Sequence, residues 1–326
     1  MKQRFTKRTR LVSALLTLAM VFTFLPFSAF AAEGVTDDST IELSEQNFPD
    51  KAFREYIKTK FDKKPDNRLI PAERKAVKKI DVSGGYNGQK ITNLKGIEFF
   101  PNLEELYCDN NQLTSLDVSQ NKALKYLNCS ENQLTSLDVS ENIALQKLSC
   151  YRNQLTSLDV SQNTQLKELR CYGNQLTSLD VSKNPALVWL SCTRNQLTSL
   201  DLSPTVVSTL YAAGNQIDIN VEETSRTFDL STLPGKFDVT KATNWSGGAV
   251  SGSTLTVDKN ATQVTYTYDC GKGLSRDFTL NVKVVPDGTV TPPEPPVTPP
   301  EPPVTPPSGG GDGGGAVVIV AAAGAV

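Results

Sequence analysis

The chain has 326 residues, 33 of them basic and 35 acidic, and no histidine. Without histidine there is no Ser-His-Asp triad, no Cys-His pair and no histidine metal site. A net charge of −2 with no basic stripe argues against nucleic acid as a partner.

In chain order, Lys2, Arg4, Lys7, Arg8 and Arg10 come first, and residues 11–27 are apolar apart from a few Ser and Thr. Ala29 and Ala31 then place small residues where a signal peptidase reads. Residues 1–31 are expected to be a secretory signal peptide, since the apolar run falls short of the about 20 residues a membrane span needs. The rest carries 28 basic against 35 acidic residues, a net charge of −7.

Residues 32–79 are expected to form a linker and a helical N-terminal cap. Phe53, Tyr56, Ile57 and Phe61 fall on one face of a helix that Asp50 is placed to cap. A loop from Asp62 leads to a second helix with Ala76, Val77 and Ile80 as its apolar residues. That loop resembles a degenerate EF-hand, with Asp62, Asp66 and Glu73 in the first, fifth and twelfth places. Lys64 stands at the third ligand place and Asn67 where the turn takes Gly, so a structural turn is expected. Calcium at Asp62, Asp66 and Glu73 is the alternative, and no other cofactor is expected.

Residues 80–220 are repetitive. The run Asn111-Gln112-Leu113-Thr114-Ser115-Leu116-Asp117-Val118-Ser119 recurs from Asn132, Asn153 and Asn174 and, with Leu202 in the Val place, from Asn195, each copy 21 residues after the last. A divergent copy starts at Asn215, one residue early. The alternation of Leu106 and Cys108 with Glu105, Tyr107 and Asp109 makes a short strand with one buried face. Leu113, Leu116 and Val118 turn back into the same interior. No single turn buries these residues alone, so the turns must stack, with strands about 4.8 Å apart in a parallel sheet.

One repeat, Leu103-x-x-Leu106-x-Cys108-x-x-Asn111-x-Leu113, resembles the leucine-rich-repeat consensus. Joined to the LTSLDVSxN half, it is similar to the internalin-like surface proteins of Gram-positive bacteria. The fold implied is mainly β, a leucine-rich-repeat solenoid between a helical N-terminal cap and a C-terminal immunoglobulin-like β-sandwich.

Three columns follow from the spacing. Asn111, Asn132, Asn153, Asn174, Asn195 and Asn215 should form an internal ladder, because an amide both donates and accepts at each corner. Cys108, Cys129, Cys150, Cys171 and Cys192 occupy inward Leu places. They are odd in number and parallel in direction, so they are expected to be buried free thiols, and Cys270 unpaired. Asp117, Asp138, Asp159, Asp180 and Asp201 should be a solvated column with Thr114, Ser115 and Ser119 types as donors, and a cation column is the alternative.

The outward strand positions vary from turn to turn. They carry Tyr107, Tyr126, Tyr151, Tyr172, Trp189 and Tyr211, six of the eleven Tyr and Trp in the chain, with Arg152, Arg170 and Arg194. These residue types dominate interface energetics. This surface, expected to be concave, is the candidate ligand-binding face.

Residues 221–285 change to short alternating strands parted by Gly- and Asn-rich turns, which predicts a small β-sandwich. Residues 286–315 are Pro-rich, then Gly-rich, and read as an extended spacer of about 3.1 Å per residue in its proline part. The apolar tail 316–326 is expected to be the start of a transmembrane anchor. The function expected is a secreted or surface-displayed, adhesin-like binding protein of a Gram-positive bacterium. Its partner would be a protein or glycan at a cell surface, and the chain a monomer tethered to membrane or cell wall through its C-terminus. A structural envelope spacer without a ligand is the alternative. A hydrolase is not expected, because no nucleophile–base constellation exists.

Overall fold

A computed structural model describes residues 39–290. The signal peptide expected at 1–31, the spacer from residue 291 on and the tail 316–326 lie outside the described residues.

The N-terminal cap is built as the apolar spacing demands. Strand β1 (Ile41–Glu42) pairs antiparallel with β2 (Arg68–Leu69) around helix α1 (Lys51–Phe61). The Phe53 amide donates to Asp50 Oδ1 at 3.0 Å, a cap worth about 1 kcal/mol. The other Asp50 oxygen accepts from the Thr92 amide at 2.8 Å, which ties the cap to the solenoid behind it. Phe53, Tyr56 and Ile57 are buried and Phe61 packs partly buried beside them.

The second helix is shorter than its apolar residues suggest. Helix α2 (Pro71–Ala76) stops at Ala76, Val77 is its C-cap, and Ile80 belongs to the next strand. Competition from the sheet explains this: the Glu104 and Glu105 amides donate to the Lys78 carbonyl, so the chain is drawn into the parallel ladder before another turn forms.

The solenoid sheet has seven parallel strands in sequence order, β3 (Lys79–Asp81), β4 (Glu105–Tyr107), β5 (Tyr126–Asn128), β6 (Lys147–Ser149), β7 (Glu168–Arg170), β8 (Trp189–Ser191) and β9 (Thr209–Tyr211). Each residue pairs with its repeat equivalent: Glu105 with Tyr126, Tyr126 with Lys147, Lys147 with Glu168. Leu106, Leu127, Leu148, Leu169, Leu190 and Leu210 point inward and are buried, as are the five repeat cysteines. Each such Leu contributes about 1.5–3 kcal/mol.

The asparagine ladder closes every corner. Asn132 Nδ2 donates to the carbonyls of Cys108 at 3.0 Å and Cys129 at 3.1 Å, and its Oδ1 accepts from the Leu113 amide at 2.9 Å. Asn153, Asn174 and Asn195 repeat the pattern. A second ladder, Asn121, Asn142, Asn163 and Asn184, runs beside it. Asn142 Nδ2 donates to the Val118 carbonyl at 2.9 Å and the Asn121 carbonyl at 3.0 Å.

Beyond the solenoid, β10 (Gln216–Glu222), β12 (Ala242–Ser246), β15 (Gln263–Asp269) and β16 (Ser275–Val285) form one sheet, ordered β10-β16-β15-β12. The strands β11 (Thr227–Asp229), β13 (Gly248–Ser251) and β14 (Thr254–Val257) form the other. Strand β10 runs across the boundary expected at residue 220. Asn215 ends the ladder, and from Gln216 the chain pairs in parallel with β16 instead. Leu255 and Val257 from one sheet and Val264, Tyr266, Phe278 and Leu280 from the other are buried together.

This domain closes the end of the stack through specific bonds. Tyr266 Oη donates to the Thr198 carbonyl at 2.6 Å. Thr198 and Ser199 donate to the Pro234 and Gly235 carbonyls, each at 2.7 Å. Ala212 stands in the Cys place of the last turn. Burial dominates the upward push on the Cys192 titration, and the Cys171 and then the Cys270 thiols add to it.

Candidate functional site

The outward side of β3 to β9 brings the variable residues together in rows. One row is Lys79, Glu105, Tyr126, Lys147, Glu168, Trp189 and Thr209, and the next is Asp81, Tyr107, Asn128, Ser149, Arg170, Ser191 and Tyr211. A third row holds Tyr151 and Tyr172, where the ladder continues past the strands: the Arg152 amide donates to the Tyr172 carbonyl at 2.9 Å. All nine expected binding residues, Tyr107, Tyr126, Tyr151, Arg152, Arg170, Tyr172, Trp189, Arg194 and Tyr211, therefore lie on one surface.

The rings are largely occupied with one another and with cations. Tyr151 and Tyr172 stack with centres 4.4 Å apart and planes 6° from parallel. Ser130, the row neighbour of Tyr151 on its other side, is fully buried. The Arg170 guanidinium lies 4.6 Å from the centre of the Trp189 ring. Lys79 and Lys147 sit 4.4 Å and 5.6 Å from the Tyr107 and Tyr126 rings. Trp189 also tilts against Tyr211 at 5.6 Å, and Tyr211 keeps 53% of its surface exposed. Burial, then the Tyr172 hydroxyl and Glu131, raise the Tyr151 titration. Burial and Glu105 do the same for Tyr107.

Ion pairs on this face are local. Glu168 meets Arg170 and, at 3.5 Å, Lys147, and Glu131 meets Arg152 at 2.8 Å. Among the described residues Arg194 pairs with no carboxylate. Spacing showed where these groups stand, but not that they pair.

The backbone under the arginines was not legible in the spacing. Asn110, Glu131, Arg152, Gly173, Arg194 and Gly214 occupy equivalent places, and all have positive φ, with Arg152 at 52° and Arg194 at 53°. Gly and Asn adopt this geometry readily, whereas other residues pay about 1–2 kcal/mol. A Cβ on Gly173 would stand 3.4 Å from Arg152 Cγ, and one on Gly214 3.5 Å from Arg194 Cγ. Each arginine stem thus leans over the glycine of the next turn.

The other candidates are satisfied differently. Asp62 accepts from the Asp66 amide at 3.4 Å and the Asn67 amide at 2.9 Å. Glu73 accepts from the Lys63 amide at 2.9 Å and the Ile70 amide at 3.0 Å. Four backbone donors occupy the four carboxylate oxygens, and Asn67 takes the left-handed turn at φ 62°. The Asp66 carboxylate likewise accepts from the Arg68 amide at 3.0 Å, so the loop is closed by its own backbone donors. In the aspartate column the donor is the Ser two residues on: the Ser140 amide donates to Asp138 Oδ1 at 2.9 Å, and Ser182 to Asp180 likewise. These bonds, side chain first and backbone second, lower the titration of Asp138, Asp180 and Asp201. Thr198 and Ser199, equivalents of the expected donors Thr114 and Ser115, bond to the C-terminal domain instead.

Comparison with known proteins agrees with the repeat pattern. Residues 101–144 match the family model for leucine-rich repeats, two copies. No curated protein matches. Among solved structures, the functional domain of InlJ from Listeria monocytogenes, which includes a cysteine ladder, is similar at 18% identity and a TM-score of 0.35, over 77% of this chain and all of that one. Internalin C2 from Listeria monocytogenes is similar at 20% identity and a TM-score of 0.47, over 56% of this chain and 88% of that one. The leucine-rich-repeat domain of APL1B is similar at 22% identity and a TM-score of 0.36, over 40% of this chain and 41% of that one. The in-register seven-stranded sheet and inner asparagine ladder, with residues 101–144 matching the leucine-rich-repeat model, give this chain a leucine-rich-repeat solenoid.

Proposed function

We propose that this is a secreted or surface-displayed binding protein that recognises a protein partner through the outward face of β5 to β9. The single observation behind this reading is the division of labour among the columns. Leu, Cys and Asn positions repeat almost unchanged, while the outward positions vary along the stack and concentrate Tyr, Trp and Arg. A scaffold alone needs only the first set. The N-terminal secretory pattern and the proline-rich segment support display away from the cell that makes the chain.

The test uses the full secreted chain on arrays of extracellular proteins and glycans. The variant Tyr151→Ala/Tyr172→Ala/Trp189→Ala is compared with Gln165→Arg, at an exposed position outside the strand rows. A protein ligand lost in the first and kept in the second is expected. Arrays blank for the wild type would favour a ligand-free spacer. Binding unchanged in a folded triple variant would remove the face from the function.

A further inference from the structure

The outward face is electrically split. Its first three turns carry Lys79 against Asp81, Glu105, Asp109 and Glu131, whereas its last four carry Lys147, Arg152, Arg170 and Arg194 against Glu168, with Glu131 at the border paired to Arg152. The positive half stands on a chain that is acidic outside its first 31 residues, so it is not a reflection of overall composition. Backbone geometry sharpens the point. In the row of left-handed corners Asn110 and Glu131 come first, Arg152 then precedes Gly173, and Arg194 stands between Gly173 and Gly214. The corner itself favours glycine; Arg152 has the Glu131 ion pair to offset this, but nothing comparable accounts for Arg194. Arg194 also lacks any carboxylate partner among the described residues.

We propose that the last four turns bind an acidic, extended peptide segment of the partner, with its carboxylates on Arg152, Arg170 and Arg194. This deepens the reading above and rests on it. Guanidinium forks match carboxylates in two-point contacts. Arg152 and Arg194 are two turns apart, about 10 Å at the spacing of parallel strands, a span covered by three or four residues of extended chain. Peptide is favoured over an acidic saccharide by the rings themselves. A sugar stacks on an open aromatic face, and one face of each ring is already taken, Tyr151 and Tyr172 by each other at 4.4 Å and Trp189 by Arg170 at 4.6 Å. Ring edges and hydroxyls remain, and these donate to and pack against peptide. The acidic first turns repel the same ligand, which fixes its position along the stack.

The probes are poly-L-glutamate, heparin and poly-L-lysine, titrated against the full chain at low and high salt. The wild type is expected to bind poly-L-glutamate, more weakly as salt rises. Arg152→Gly/Arg194→Gly, whose glycines suit the corner, should bind it at least tenfold more weakly with an undiminished melting temperature. Binding of heparin but not poly-L-glutamate would overturn the peptide assignment, and preference for poly-L-lysine would overturn the polarity. An array partner lost with Tyr151, Tyr172 and Trp189 but indifferent to the double glycine variant would overturn this proposal and leave the binding face standing. Loss of both would overturn the two together.

Discussion

Tyr151 and Tyr172, one turn apart, lie face to face at 4.4 Å with planes 6° from parallel. Stacked rings of this kind add about 0.5–1.5 kcal/mol beyond their burial. Tyr172→Ala is therefore expected to lower unfolding free energy by about 1 kcal/mol while the fold persists. Urea unfolding followed by circular dichroism reads it. A loss above about 3 kcal/mol would mean that the pair belongs to the scaffold rather than to its surface.

Arg194 sits at φ 53° and has no ion pair to lose among the described residues. Arg194→Gly removes the strain of a side chain in this geometry and adds freedom to the unfolded chain, two opposing effects of about 1 kcal/mol. Thermal melts should show stability unchanged or raised by up to about 1 kcal/mol. A clear drop would show that the arginine holds the corner together.

Asn153 serves both neighbouring turns, donating to the Cys129 and Cys150 carbonyls and accepting from the Leu134 amide. In Asn153→Ala three buried backbone groups lose their partner, each at about 1–3 kcal/mol. The expected destabilisation is about 3 kcal/mol or more. Asn153→Asp should also destabilise, because a carboxylate accepts but does not donate. Chemical denaturation with either variant near wild type would contradict the ladder.

Burial pushes the Cys129 and Cys171 thiols up to about 12, from an ordinary value of 9.0. Cys108, Cys150 and Cys192 are also raised, chiefly by burial. The unfolded chain then loses thiol protons that the folded chain keeps. Their contribution is full below about pH 9 and is lost as pH rises from 9 through about 12. The melting temperature should fall over that window, and a Cys129→Ala/Cys171→Ala variant should fall less steeply. At pH 8 the native chain should react with a thiol reagent only after denaturant is added.

The loop from Asp62 to Glu73 is closed by its own amides. Calcium is expected to leave the melting temperature unchanged, and so is a chelator. Glu73→Gln should destabilise equally with and without calcium, since it weakens the acceptors for Lys63 and Ile70. A calcium-dependent rise in melting temperature would reverse this reading.

Much of the fold was legible because strand partners are repeat equivalents. Residue 105 pairs with 126 and 126 with 147, so reading down a column is reading across the sheet. The membership of the outward face followed directly. Its geometry did not, because the stack of Tyr151 on Tyr172 and the cover of Arg170 on Trp189 depend on side-chain rotamers. The left-handed corners at Arg152 and Arg194 have no glycine of their own, and their signal lay in Asn110, Gly173 and Gly214 at the equivalent places. The end of α2 was misread because Ile80 has a helical spacing from Ala76 and Val77, yet pairs with Leu106. The bonds of Thr198 and Ser199 to Pro234 and Gly235 join two different domains, which repeat comparison cannot see.

Trp189 lies within the face and Trp245 lies in the C-terminal domain, so Trp245→Phe leaves a single reporter at the site. The decisive measurement is the emission of that variant titrated with the protein partner found on the array. A saturable shift or quench of Trp189 emission, abolished by Tyr151→Ala/Tyr172→Ala, is predicted. Tight binding of the partner with no change in Trp189 emission would place recognition elsewhere on the molecule.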